Sequence, residues 1–124
     1  MPLDPRRRDR ATIADAVRFV ELALEFSAGM DLTGFRKDNL KQSAILHQLL
    51  LLGEASKRLS PELRMEFAEI PWKQMAGLRD HIVHAYDSVD VDEIWVTVAR
   101  DLPDLLPLLR RVQARVAVDP RSAT

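Results

Sequence analysis

At 124 residues, with 47% apolar and 30% charged side chains, the chain is sized for one domain that buries roughly two-thirds of its unfolded surface, and its composition excludes extended disorder. Cysteine is absent, which removes disulfides, thiolate metal sites and a cysteine nucleophile. Eighteen Lys and Arg against nineteen Asp and Glu leave a net charge of −1, so bulk charge does not point to a nucleic-acid binder and any phosphate-binding surface has to be local.

The opening Met1-Pro2-Leu3-Asp4-Pro5-Arg6-Arg7-Arg8 is charged and lacks the apolar run of a secretion signal. No segment approaches the ~18 consecutive apolar residues of a membrane span, so the expected location is the cytoplasm, with no membrane contact. From about Arg8 to Ala28, residues Ile13, Ala16, Val17, Val20, Ala23 and Leu24 recur at steps of three and four, the period of an amphipathic helix. Gly29 is placed to stop it. Met30 to Lys37 reads as a loop that puts Phe35 at risk of exposure. Asp38 can cap a second helix running to about Leu59. The middle of that helix, Ile45 to Leu52, is apolar around most of its circumference, which implies burial by more than one neighbouring helix or by another subunit.

Ser60-Pro61 is a cap followed by a first-turn proline, opening a short helix through Phe67. Ile70-Pro71-Trp72 repeats the signal and starts a helix from Trp72 to about Ala85. Asp90 caps the last helix, from Val91 to about Ala117, which Pro103 and Pro107 should kink or break. No sustained period-two alternation or hairpin signal occurs, so strands are not expected. The fold class is all-α: an up-and-down bundle of four long helices and a short one, a single domain over residues 1–124 with 1–8 and 119–124 frayed. Arginines gather near both ends (Arg6, Arg7, Arg8 and Arg10; Arg110, Arg111, Arg115 and Arg121) and would form one basic patch if the termini meet; solvated helix faces are the plainer reading.

The chemistry concentrates in Arg79-Asp80-His81-Ile82-Val83-His84-Ala85-Tyr86. On a helical wheel of about 100° per residue, Met75, Leu78, Ile82, Val83 and Tyr86 fall within roughly 100° of Arg79. Arg79 therefore sits in the apolar stripe, where an unpaired charge is costly. It has to pair or face a cleft. A carboxylate such as Glu54 on the apolar second helix would satisfy it and make it structural. His84 falls about 140° from Arg79 on the same wheel, so the two do not share a face of an ideal helix. A helix end that turns His84 inward, an arginine that reaches round, or two copies of the helix that pair would each bring them together. A guanidinium and an imidazole beside a tyrosine can cleave a phosphodiester without a metal or other cofactor: Arg stabilises phosphate charge and His moves a proton. RNA is the natural substrate, because its 2′-hydroxyl is an internal nucleophile. His81 and His47 read as ordinary histidines, each without a ligand-spaced partner.

The same octapeptide resembles the Arg-x4-His-x-Tyr motif of the HepT-like branch of HEPN domains. Gly53-Glu54-Ala55-Ser56-Lys57-Arg58-Leu59-Ser60, Ile70 to Leu78, Val89 to Trp95 and Asp101-Leu102-Pro103 resemble that family's segments in the same order, over roughly Ile13 to Val112. The resemblance implies a helical homodimer whose interface cleft gathers the Arg and His of both subunits. It implies a metal-independent ribonuclease acting as the toxin of a bacterial toxin–antitoxin pair. It also implies a partner, a small MntA-like minimal nucleotidyltransferase that transfers AMP from ATP to the motif tyrosine. On these residues, Arg79 and His84 are catalytic, Asp80 is the polar residue after the motif arginine, Tyr86 is the modified position, and Glu54 is a structural partner for Arg79 or for an arginine of the other subunit.

Two other readings use the same residues. In one, the protein is a non-catalytic helical dimer that binds and regulates a nucleotidyltransferase, with Tyr86 functional and Arg79 and His84 structural. In the other, the arginine face binds a free nucleotide, although no Gly-rich phosphate loop is present.

Overall fold

The computed structural model describes residues 5–118, and all regular structure among them is helical. Helix α1 (Pro5–Ser27) buries Ile13, Ala16, Val17, Val20 and Ala23 along one face, as its period requires. Pro5 to Arg8, expected to fray, lie within it. Gly29 follows with φ +76°, the left-handed conformation that glycine adopts without penalty.

Met30 to Lys37 is not the expected loop. The Asp31 carboxylate accepts from the Gly34 N–H at 2.8 Å and caps a short helix, α2 (Leu32–Arg36). Phe35 is fully buried, its ring centroid 5.3 Å from that of Trp95. A helix of five residues is too short to display a 3.6-residue period, so the cap was its only local signal. Arg36 then clasps Asp92 through two N–H···O bonds of 2.9 and 2.6 Å, tying α2 to α6 (Val91–Val96).

Helix α3 (Asn39–Arg58) is capped by Asp38, which accepts from the Lys41 N–H at 2.9 Å. It packs against α1 on one side and α5 (Trp72–His84) on the other, which accounts for its apolar circumference. Ser60 caps α4 (Pro61–Glu66) and is itself held by the buried Asp9 of α1, whose carboxylate accepts from the Ser60 N–H at 2.9 Å and its hydroxyl at 2.5 Å.

The last expected helix is interrupted. After α6 a π turn (Thr97–Asp101) intervenes before α7 (Leu102–Ala117). Pro103 has no N–H and its ring would crowd the Ala99 carbonyl in a regular helix; the wider π turn relieves that conflict. Pro107, by contrast, lies inside α7 without ending it. α1 packs on both α3 and α7, and Val20, Ile45, Leu49, Val98, Leu102, Leu109 and Val112 form the centre of the core. Arg110 pairs with Glu21 at 3.1 Å and Arg115 with Glu66 at 3.0 Å, so these arginines lie against carboxylates on the bundle surface. Residues 119–124, expected to fray, and Arg121 among them, lie outside the described residues. No helix among the described residues is long and apolar enough to cross a membrane.

Candidate active site

Arg79 lies on α5 where that helix crosses α3 at Gly53. A Cβ at position 53 would collide with the Cβ of Arg79 and come within 2.7 Å of the Met75 carbonyl oxygen. The missing side chain thus lets the two backbones close up, and Glu54 and Lys57 of α3 reach across to α5. Glu54 Oε1 pairs with Arg79 Nε. Arg79 Nη1 donates to Asp80 Oδ1 at 3.0 Å, and Lys57 Nζ donates to the same oxygen, also at 3.0 Å. Four charges of alternating sign therefore run Glu54, Arg79, Asp80, Lys57 across two helices.

The Arg79 side chain is 25% exposed and that of Asp80 47%. The hydrogen bond to Asp80, then the pairing with Glu54, raises the Arg79 pKa above its ordinary value against the opposing effect of burial. Asp80 is held below the usual carboxylate range, first by Lys57 and then by Arg79. Both Arg79 and Asp80 are thus pushed towards their charged forms. At such exposure ion pairs contribute little to stability, so their consequence here is placement of the guanidinium.

The pairing of Arg79 with Glu54 that would satisfy a charge in the apolar stripe is present within one chain. His84 is the last residue of α5 and is exposed, so the helix end does not turn it inward. Tyr86 is 57% exposed. Neither side chain makes a hydrogen bond or ion pair with another described residue, and within one chain neither joins the charge run through Arg79.

The helical wheel that put Tyr86 on the Arg79 face does not hold. α5 ends at His84, Ala85 departs to φ −137° and ψ 38°, and Tyr86 opens a 3-10 turn (Tyr86–Ser88). Asp87 and Ser88 favour this local turn over continued helix, and the Ser88 hydroxyl donates to the Ala85 carbonyl at 3.3 Å. His81 and His47 are both exposed. No group of three or more His, Asp or Glu among the described residues is arranged to hold a metal ion. Two members of the site escaped the sequence reading as such: Gly53, visible only as part of a segment, and Lys57, whose partner depends on how α3 crosses α5.

α5 also borders an apolar groove of about 510 Å³, lined in part by Leu49, Leu52, Met75, Leu78, Leu105 and Leu108. Val83, next to His84, is 45% exposed.

A family model described as Ribonuclease HepT-like matches residues 17–112. The chain belongs to the HepT-like ribonuclease family. Among HepT-like relatives, a protein of Thermococcus cleftensis named a probable ribonuclease HepT is 36% identical over 100 residues, covering 81% of this chain and 91% of the relative. A protein of Caldanaerobacter subterraneus subsp. tengcongensis, provisionally named an RNase, is 35% identical over 85 residues, covering 68% and 76%. Another provisionally named RNase, from Methanocaldococcus jannaschii, is 29% identical over 101 residues, covering 82% and 87%. No solved structure matches the chain. The matched range contains all of α3 and α5, and with them Gly53, Glu54, Lys57, Arg79, Asp80 and His84.

Proposed function

We propose that the protein is a metal-independent endoribonuclease, the toxin of a toxin–antitoxin pair, which cuts RNA at a cleft built by two subunits from Arg79 and His84. Membership of the HepT-like family, with Arg79, His84 and Tyr86 at the motif spacing, is the observation that carries this reading. The separation of an exposed His84 from the Arg79 charge run within one chain favours a site completed by a second copy. In the reaction His84 accepts the proton of the 2′-hydroxyl, the 2′-oxygen bonds to the adjacent phosphorus, and the bond from phosphorus to the 5′-oxygen breaks. The leaving 5′-oxygen takes a proton, so the products carry a 2′,3′-cyclic phosphate and a 5′-hydroxyl. Arg79 donates to the non-bridging oxygens, where charge accumulates. DNA lacks the internal nucleophile and is not cut.

Control falls to a small MntA-like nucleotidyltransferase acting in the cytoplasm. It joins the α-phosphorus of ATP to the Tyr86 hydroxyl oxygen and releases pyrophosphate. The exposure of Tyr86 supports this role, and each added phosphate next to the motif repels the RNA backbone. The test is cleavage of RNA by purified protein in EDTA, with His84→Ala as the comparison. Loss of cutting with fold and dimer intact supports the assignment; equal cutting by the variant would overturn it.

The ion pairs of Arg79 with Glu54 and Asp80 favour one other reading, in which Arg79 is structural and the protein is a helical dimer that binds and regulates the nucleotidyltransferase. Growth arrest that requires His84 when the protein is expressed without its partner would eliminate it.

A further inference from the structure

We infer that Lys57 is a second phosphate-binding cation of the RNA site, and that the Asp80 carboxylate occupies the position of the RNA phosphate between Lys57 and Arg79 until substrate displaces it. This rests on the ribonuclease reading above. One oxygen, Asp80 Oδ1, accepts at 3.0 Å from both Lys57 Nζ on α3 and Arg79 Nη1 on α5. An anionic oxygen shared between an ammonium and a guanidinium is the arrangement that a non-bridging phosphate oxygen makes with the same pair. The two cations are therefore already spaced for one phosphate.

Glu54 takes the Nε edge of Arg79 and fixes the guanidinium on the α3 side, while Nη2 has no protein partner among the described residues. The Lys57 side chain is 43% exposed and Asp80 47%, so a polynucleotide can reach both. An exposed pair of this kind is weak and screened by salt, which makes Lys57–Asp80 a poor structural fastener but an exchangeable one. A phosphate that swings the Asp80 side chain aside gains both cations at once through a single oxygen.

The experiment measures binding of a short fluorescent single-stranded RNA by anisotropy over a range of salt concentrations, in a His84→Ala parent that leaves the RNA uncut. Lys57→Ala in that parent is expected to weaken binding about tenfold and to flatten the log–log salt dependence by about 0.7, the loss of one phosphate contact on a single strand. Lys57→Arg should restore both, and Asp80→Asn should tighten binding about threefold by removing the competing charge. Circular dichroism confirms that each variant is folded. An unchanged salt slope in Lys57→Ala, or weakened binding in Asp80→Asn, overturns the proposal while leaving the ribonuclease reading standing. Failure of the parent to bind RNA, together with failure of the wild-type chain to cut it, overturns both.

Discussion

Gly53 and Arg79 occupy the closest approach of α3 and α5, and the hydrogen in place of a side chain at 53 is what allows the arginine to stand there. Any Cβ at that position displaces backbone as well as side chain, because the Met75 carbonyl oxygen is also in its way. Gly53→Ala should therefore destabilise the protein by about 1–3 kcal/mol, the usual cost of overpacking, and reduce RNA cleavage further than the loss of folded protein explains. Gly77, also on α5, has nothing within 4 Å of its virtual Cβ, so Gly77→Ala should stabilise by about 0.5–1 kcal/mol. Thermal melts of the two variants provide the comparison, and a neutral Gly53→Ala would refute the packing argument.

Glu54 touches Arg79 and no reacting atom, so its effect on cleavage is through orientation. Glu54→Gln keeps the shape and removes the charge that anchors Nε. A reduction of cleavage by about tenfold, with affinity for RNA retained, is the expected result, since small misplacements of a positioned group are expensive in rate. Unchanged turnover would show that the Glu54 charge is not needed to orient the guanidinium.

Acid should weaken the native state by a small amount at two named, half-exposed carboxylates. Asp80, beside Lys57 and Arg79, and Asp92, beside Arg36, both titrate below the ordinary range in the native chain. A depressed native pKa contributes stability that is fully present above the unfolded value, about 3.9 for Asp, and is lost as pH falls through the lower native value. Melting temperatures followed from about pH 6 down to about pH 2.5 should fall less steeply in Asp92→Asn than in the parent. Parallel curves would remove the Arg36–Asp92 clasp from the account.

The sequence showed what depends on neighbours a few residues apart. Asp38, Ser60-Pro61 and Asp90 announced helix starts that the fold uses, and the spacing of Ile13, Val17 and Val20 marked a buried face correctly. It also put Glu54 forward as the carboxylate for Arg79, because a charge in an apolar stripe demands a partner. Two kinds of feature stayed hidden. Local competition decided where α5 stops: the Asp87-Ser88 turn won over continued helix, which moved Tyr86 off the wheel. The crossing of α3 and α5 set the other, since Lys57 and Asp80 are 23 residues apart and only the tertiary packing brings them together.

Phe35 tests the short helix that the sequence pattern missed. Its ring is fully enclosed against Trp95, and the segment around it also carries Arg36 to Asp92. Phe35→Ala should cost about 3–5 kcal/mol, as for other buried aromatics. Chemical denaturation would measure it, and a cost typical of a surface position would contradict the burial of this side chain.

The groove beside Leu78 has a consequence for cooperativity. α1 packs on both α3 and α7, whereas α5 leans chiefly on α3 and has open space on the flank towards α7. The helix that carries Arg79 and His84 can accordingly open at a single interface, with α1 still joined to α3 and α7. Amide protons of α5 should exchange with solvent through this partial opening, ahead of those in α1 and α3, and pairing with a second chain or with RNA should slow them selectively.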